Sequence, residues 1–134
     1  MLPITALTAL GVAKAAGVDY NPKSDGVFTI GCNFNESLAI VQSSLKGIKA
    51  KIKDLSIDPD TGCAYINSRR GMSWKSNGEK LETVVIPFEE DKTSVVFKSK
   101  SKGLTIVDWG KNKQNVNKFS VELMKSGVSI AIIE

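Results

Sequence analysis

Histidine is absent from the 134 residues. That absence excludes Ser-His and Cys-His nucleophile pairs, histidine-bearing metal sites and the usual general base near neutral pH. Cysteine is scarce as well. Cys32 and Cys63 sit singly in apolar, strand-like stretches, and neither belongs to a metal-ligand pair. A disulfide framework in a small domain needs more of them. The two read as small buried hydrophobes, with a single disulfide between them left open. No Walker loop, dinucleotide fingerprint, internal repeat or low-complexity tract occurs in the sequence.

What is present fits one globular domain. The length is close to the commonest domain size, and 42% hydrophobic with 24% charged residues suits a folded, soluble chain. The net charge of +4 is mild, and its distribution matters more. Lys98, Lys100, Lys102, Lys111, Lys113 and Lys118 face a single nearby acid, Asp108. A second cluster, Lys46, Lys49, Lys51 and Lys53, meets no acid before Asp54. Such patches suit nucleic acid, an acidic membrane surface or an acidic protein, and they equally suit a plain solvated surface.

The N-terminal run Leu2–Val12 is apolar apart from two threonines and leads into Ala13-Lys14-Ala15. It has the look of a secretory signal's apolar region and cleavage site. No Lys or Arg precedes it, and it is too short to span a bilayer. The expectation is therefore an N-terminal helix that docks its alanine/leucine face on the domain of a cytoplasmic protein, with the secretory signal as the alternative. Asn35-Glu36-Ser37 matches a glycosylation acceptor, a tripeptide common by chance.

Asp19–Gly26 reads as a loop by composition. Phe28, Ile30, Cys32 and Phe34 then alternate with Thr29, Gly31 and Asn33, the period of a half-buried strand. Asn35 is the expected N-cap of a helix to about Ile48, with Leu38, Val41, Leu45 and Ile48 on one stripe. Strands are predicted at Lys51–Ile57, Cys63–Asn67, Gly71–Lys75, Lys80–Phe88 and Thr93–Ser99. Asp58-Pro59-Asp60-Thr61-Gly62, Asn77-Gly78 and Glu89–Lys92 supply the turns. Asp108 is the expected cap of a second long helix carrying Trp109, Val116, Phe119 and Leu123 on one stripe, and Gly127 stops it. Val128–Ile133 is either a last strand or a segment packed elsewhere.

The predicted fold is α+β: an antiparallel meander with helices on one face, including a long C-terminal helix. Residues 1–25 form the N-terminal helix and loop, 26–126 the core domain and 127–134 a C-terminal segment of a single domain.

Two motifs invite a chemical reading and lose it. Asp58-x-Asp60-x-Gly62 begins like a calcium loop, yet the position that needs a bidentate glutamate holds Arg69. Glu89, Glu90 and Asp91 are consecutive carboxylates in a polar turn, which does not separate an acid from a base. Catalytic residues, metal ligands and cofactors are accordingly not predicted.

The tryptophan segments are less ordinary. Trp74-Lys75 stands just before a tight turn, and Trp109 and Lys111 flank Gly110 at a helix start that suits an anion. Gly71-Met72-Ser73-Trp74-Lys75-Ser76-Asn77-Gly78-Glu79, followed by Val107-Asp108-Trp109-Gly110-Lys111-Asn112, resembles a family of small bacterial proteins without an assigned activity. That family pairs a Ser-x-Gly-Glu hairpin with an Asp-x-Gly-Lys-Asn helix start. The likeness covers residues 26–125 and implies a sheet-and-helix domain loosely similar to a shortened Bet v1 or START-type helix-grip fold. It carries over no catalytic residues.

Three functional expectations follow. The first is a non-enzymatic binding module that accepts an apolar or amphipathic ligand between sheet and C-terminal helix, at Trp74, Lys75, Trp109 and Lys111. The second is an anionic partner held by Lys98, Lys100, Lys102 and Lys113. The third is an enzyme using Lys75, Glu79 or Asp108.

Overall fold

The structure, a computed structural model, describes residues 25–70, 79–101 and 109–133. Its elements are β1 (Gly26–Ile30), α1 (Phe34–Gly47), β2 (Lys51–Ile57), β3 (Ala64–Arg70), β4 (Glu79–Glu89), β5 (Lys92–Ser101), α2 (Trp109–Lys125) and β6 (Ile130–Ile133). The strands form one sheet in the order β2-β3-β4-β5-β1-β6, antiparallel throughout. The α+β class and the antiparallel sheet predicted from the sequence are thus what the chain adopts. The meander runs β2 to β5, and β1 then slots between β5 and the closing strand β6.

Alternation along the strands sorts two faces. Phe28, Ile30, Ala64, Ile66, Leu81, Val85, Val95 and Phe97 turn to the inner face, where Val41, Leu45 and Ile48 of α1 and Phe119 and Leu123 of α2 meet them. Phe119 is the hub of this layer. Its ring stacks on Phe97 at 4.4 Å between centroids and meets the edge of Phe28 at 5.7 Å. Gly26 permits that closeness, because a Cβ there would lie 2.8 Å from both Phe28 and Val116.

The helix boundaries correct one expectation. The N-cap of α1 is Asn33, not Asn35: the Asn33 side chain accepts the Glu36 backbone N–H at 2.8 Å. Starting two residues earlier turns Ser37 inward, where its hydroxyl donates to the Cys32 carbonyl at 3.2 Å. Cys32 and Cys63 are both buried free thiols, in core clusters on opposite faces of the sheet.

The Asp58–Gly62 segment is a hairpin turn. Asp58 Oδ1 accepts from Asp60 N, Gly62 N donates to the Asp58 carbonyl, and Gly62 takes φ +76°. β3 runs on to Arg70 and pairs directly with β4, Arg70 opposite Glu79. The strand predicted at 71–75, the Asn77-Gly78 turn and the Asp108 cap lie outside the described residues. Gly127 takes φ +78° and ends α2, after which Val128–Ile133 supplies β6. No helix among the described residues is long and apolar enough to cross a membrane.

Candidate functional site

The C-terminal end of α1 is where sequence and backbone disagree most. Ile48 caps the helix, and Lys49 then adopts φ 65°. That is the left-handed region, which glycine occupies freely and a lysine enters at a cost of roughly 1–2 kcal/mol. Strain of this kind concentrates at functional positions. Ala50 N and Lys49 N close the end by donating to the Leu45 and Lys46 carbonyls at 2.9 Å.

The Ile48 carbonyl has a different partner. Arg70, the last residue of β3, donates to it through Nε at 2.7 Å. A guanidinium there complements the negative end of the helix dipole. The same guanidinium donates through Nη1 to Asn115 Oδ1 on α2 at 3.0 Å. Asn115 then donates through Nδ2 to Ser99 Oγ at 3.0 Å and to Glu79 Oε1 at 3.2 Å. Arg70 and Glu79 approach to 4.0 Å. Asn115, Glu79 and Ser99 are buried, while the Arg70 side chain keeps 18% of its surface. One end of the inner layer is therefore a hydrogen-bonded polar cluster and the other is aromatic core. Such a cluster holds its members in fixed positions only while every partner is present.

Arg70 forms part of the wall of an open cleft of about 440 Å³ between the end of α1 and the middle of α2. Gly47, Ile48 and Lys49 form one wall; Asn117, Lys118, Val121 and Glu122 form the other. Three cations thus face one acid, and Glu122 is already engaged by Lys125 at 2.9 Å. Ile48 and Val121 give the cleft its apolar surface, and Val121 is 52% exposed. A second hollow of about 310 Å³ continues the groove along the helix pair beyond Glu122. A cleft with an anchored guanidinium, flanking lysines and an open apolar wall suits a ligand with an anionic head and an apolar body.

The site residues expected from the sequence are distributed differently. Trp74, Lys75 and Lys102 lie outside the described residues. Trp109, Lys111 and Lys113 fall on the first turns of α2, with side chains outside the described ones. Lys98 stands on the outer face of β5, and Lys100 pairs in register with Lys80, its side chain outside the described ones. The seam beneath Phe119 and Leu123 is filled by buried aromatic and aliphatic side chains, so it is core. Sequence reasoning placed Lys49 in a basic cluster and missed Arg70 and Asn115. Arg70 carried one signal: it occupies the inward phase of Ala64, Ile66 and Ser68.

Strand register reveals a second feature, on the outer face. Lys51 lies opposite Arg69, Arg69 opposite Lys80, and Lys80 opposite Lys100. The backbone register therefore aligns four cationic positions in one row across β2 to β5, about 14 Å end to end at the usual strand spacing. The neighbouring row is Asp54, Asn67, Glu82 and Lys98. Lys80 leans to Glu82 at 3.2 Å. Like charges placed directly opposite each other destabilise a sheet, so the row is not explained by folding.

The chain matches no family model and no curated protein.

Proposed function

We propose that the protein is a non-enzymatic binding module whose α1–α2 cleft takes a small amphipathic anion, a carboxylate or phosphate head on an apolar body. The observation that carries this reading is Arg70, fixed by the Ile48 carbonyl and Asn115 while it forms part of the cleft wall. An arginine already held in place loses little entropy when it binds an anion. Lys49 and Lys118 add charge at the rim, and Ile48 and Val121 receive the apolar body. The reading keeps the ligand class expected from the sequence and moves its site from the filled seam to the helix pair. With it goes the likeness to a shortened helix-grip fold, supported by the placing of β1 beside the last strand of the meander.

A thermal-shift and calorimetric comparison of decanoate, decyl phosphate and decanol tests it. The two anions are expected to raise Tm and the neutral alcohol to leave it unchanged. Lys49→Gly is the informative variant. Release of the left-handed φ offsets glycine's extra unfolded-state freedom, so stability stays within about 1 kcal/mol. Affinity for decyl phosphate falls about 3- to 10-fold, as loss of one partly exposed charge contact implies. Equal response to all three ligands, or no response to any, removes the proposal.

A second reading rests on the cation row Lys51, Arg69, Lys80 and Lys100 with Lys98 beside it. That row would hold an anionic polymer through its phosphates. Affinity for a single-stranded oligonucleotide should then fall with salt at a log–log slope of about −2 to −3, as release of three or four counterions requires. Arg69→Ala with Lys80→Ala should flatten that slope. A salt-independent or absent interaction ends this reading without touching the cleft.

A further inference from the structure

Ala39, Ser43 and Gly47 recur at every fourth position of α1, so one narrow face of that helix carries little side-chain bulk. Two hollows lie along it. The first, of about 440 Å³, joins residues 47–49 at the end of α1 to residues 117–122 of α2. The second, of about 310 Å³, joins residues 39–44 to residues 122–126. The helices therefore run antiparallel beside one groove, and Glu122 is the side chain common to both hollows.

Glu122 is seated against the backbone of α1. A Cβ on Gly47 would lie 2.6 Å from Glu122 Cδ, so only glycine leaves room for that carboxyl. Glycine is the weakest helix former apart from proline; at this position its missing side chain is what admits Glu122. Lys125, one turn further along α2, donates to Glu122 Oε1 at 2.9 Å and holds the carboxyl in place. The Glu122 side chain keeps 22% of its surface against 66% for Lys125, so it is wedged at the helix crossing while its partner stays in water. An alkyl chain that passed this point would have to lift the carboxyl from Gly47 and strip water from it, which is costly.

We propose that Glu122 sets the length of ligand the cleft accepts: its bulk, laid on Gly47, ends the apolar body that starts from the head held at Arg70. This rests on the cleft being the binding site. Asn115, which holds Arg70, and Glu122 are seven residues apart on α2, about 10 Å at the helical rise. That span admits a body of at most about eight carbons joined by bonds of about 1.5 Å. Beyond the bar the second hollow offers Ala39 and Ile40 to a longer chain, but only once Glu122 is gone.

Calorimetric affinities for butyl, hexyl, octyl, decyl and dodecyl phosphate, each below its micelle concentration, test the stop on the full chain, on Glu122→Ala and on Glu122→Gln. Each half-buried methylene is worth about twofold in affinity. The unmodified chain should gain at that rate up to about octyl and by less than twofold in total from octyl to dodecyl. Glu122→Ala should instead gain about tenfold from octyl to dodecyl, with butyl phosphate bound as before. Glu122→Gln keeps the bulk and should keep the plateau. Affinity that climbs to dodecyl in the unmodified chain, a plateau that survives in Glu122→Ala, or one that vanishes in Glu122→Gln overturns the proposal and leaves the cleft as the binding site. If no alkyl phosphate binds any of the three chains, the cleft reading falls and the length stop falls with it.

Discussion

Phe119→Ala is expected to lower the unfolding free energy by about 3–5 kcal/mol, the range found for large aromatic truncations in cores. Three facts place it at that level. The ring has no solvent exposure, stacks on Phe97 with a 12° interplanar angle, and meets Phe28 edge-on at 65°. Those partners sit on adjacent strands β5 and β1, so one side chain pins α2 to the middle of the sheet. A domain of this size holds about 5–15 kcal/mol in total, and the loss should remove a large part of it. Urea unfolding followed by circular dichroism measures the effect. Phe119→Leu, which keeps much of the volume, should cost nearer 1–2 kcal/mol. If alanine costs less than about 1 kcal/mol, α2 is not seated on the sheet in solution and the inner layer is misassigned.

The inner layer was largely legible because its residues follow two simple periods. Phe28 and Ile30 at spacing two, and Val41, Leu45 and Ile48 at helical spacing, identify the faces that meet. The cap was legible in principle. Asn33 stands three residues before Glu36, the spacing of a reciprocal cap, but Asn35 satisfies the same residue preference and composition does not choose between them. The need to turn Ser37 toward the Cys32 carbonyl does. The position of β1 between β5 and β6 was not legible, because nothing local in Gly26–Ile30 specifies its neighbours. The alternation of Phe28 with Thr29 suggested a half-buried strand. All five residues of β1 are buried, which is a property of the whole sheet and not of the strand.

The candidate site was less legible for a related reason. Tryptophans draw attention in a chain with few aromatics, yet the cleft is lined by a lysine, an arginine and residues of α2 that are ordinary one at a time. Lys49, Arg70 and Asn115 are brought together across 21 and 45 positions of sequence, a juxtaposition only the fold creates. The lysines on β5 show the same limit. That Lys98 and Lys100 share a face is fixed by the period of two, whereas the alignment of Lys100 with Lys80, Arg69 and Lys51 depends on registers set by distant hairpins.

Arg70→Met probes the polar end of the layer and should cost about 3–5 kcal/mol, as removal of one member of a buried ionic cluster does. The loss has three parts. Asn115 Oδ1 loses its donor, the Ile48 carbonyl at the end of α1 loses its own, and the buried Glu79 carboxylate loses a guanidinium 4.0 Å away. Arg70→Lys retains the charge but not the fork that reaches Ile48 and Asn115 together, so about 1–2 kcal/mol should still be lost. Adding Glu79→Gln to Arg70→Met removes the carboxylate charge that Arg70 had faced. The double variant should therefore be more stable than the sum of the single losses predicts, by about 1–3 kcal/mol in a double-mutant cycle. Urea midpoints of the four chains supply that number. Losses that add to within about 0.5 kcal/mol would show that the 4.0 Å approach of Arg70 to Glu79 carries no energy. Arg70 would then owe its place to what it presents to the cleft, and the affinity of decyl phosphate for Arg70→Lys, unchanged or reduced, decides between the two roles.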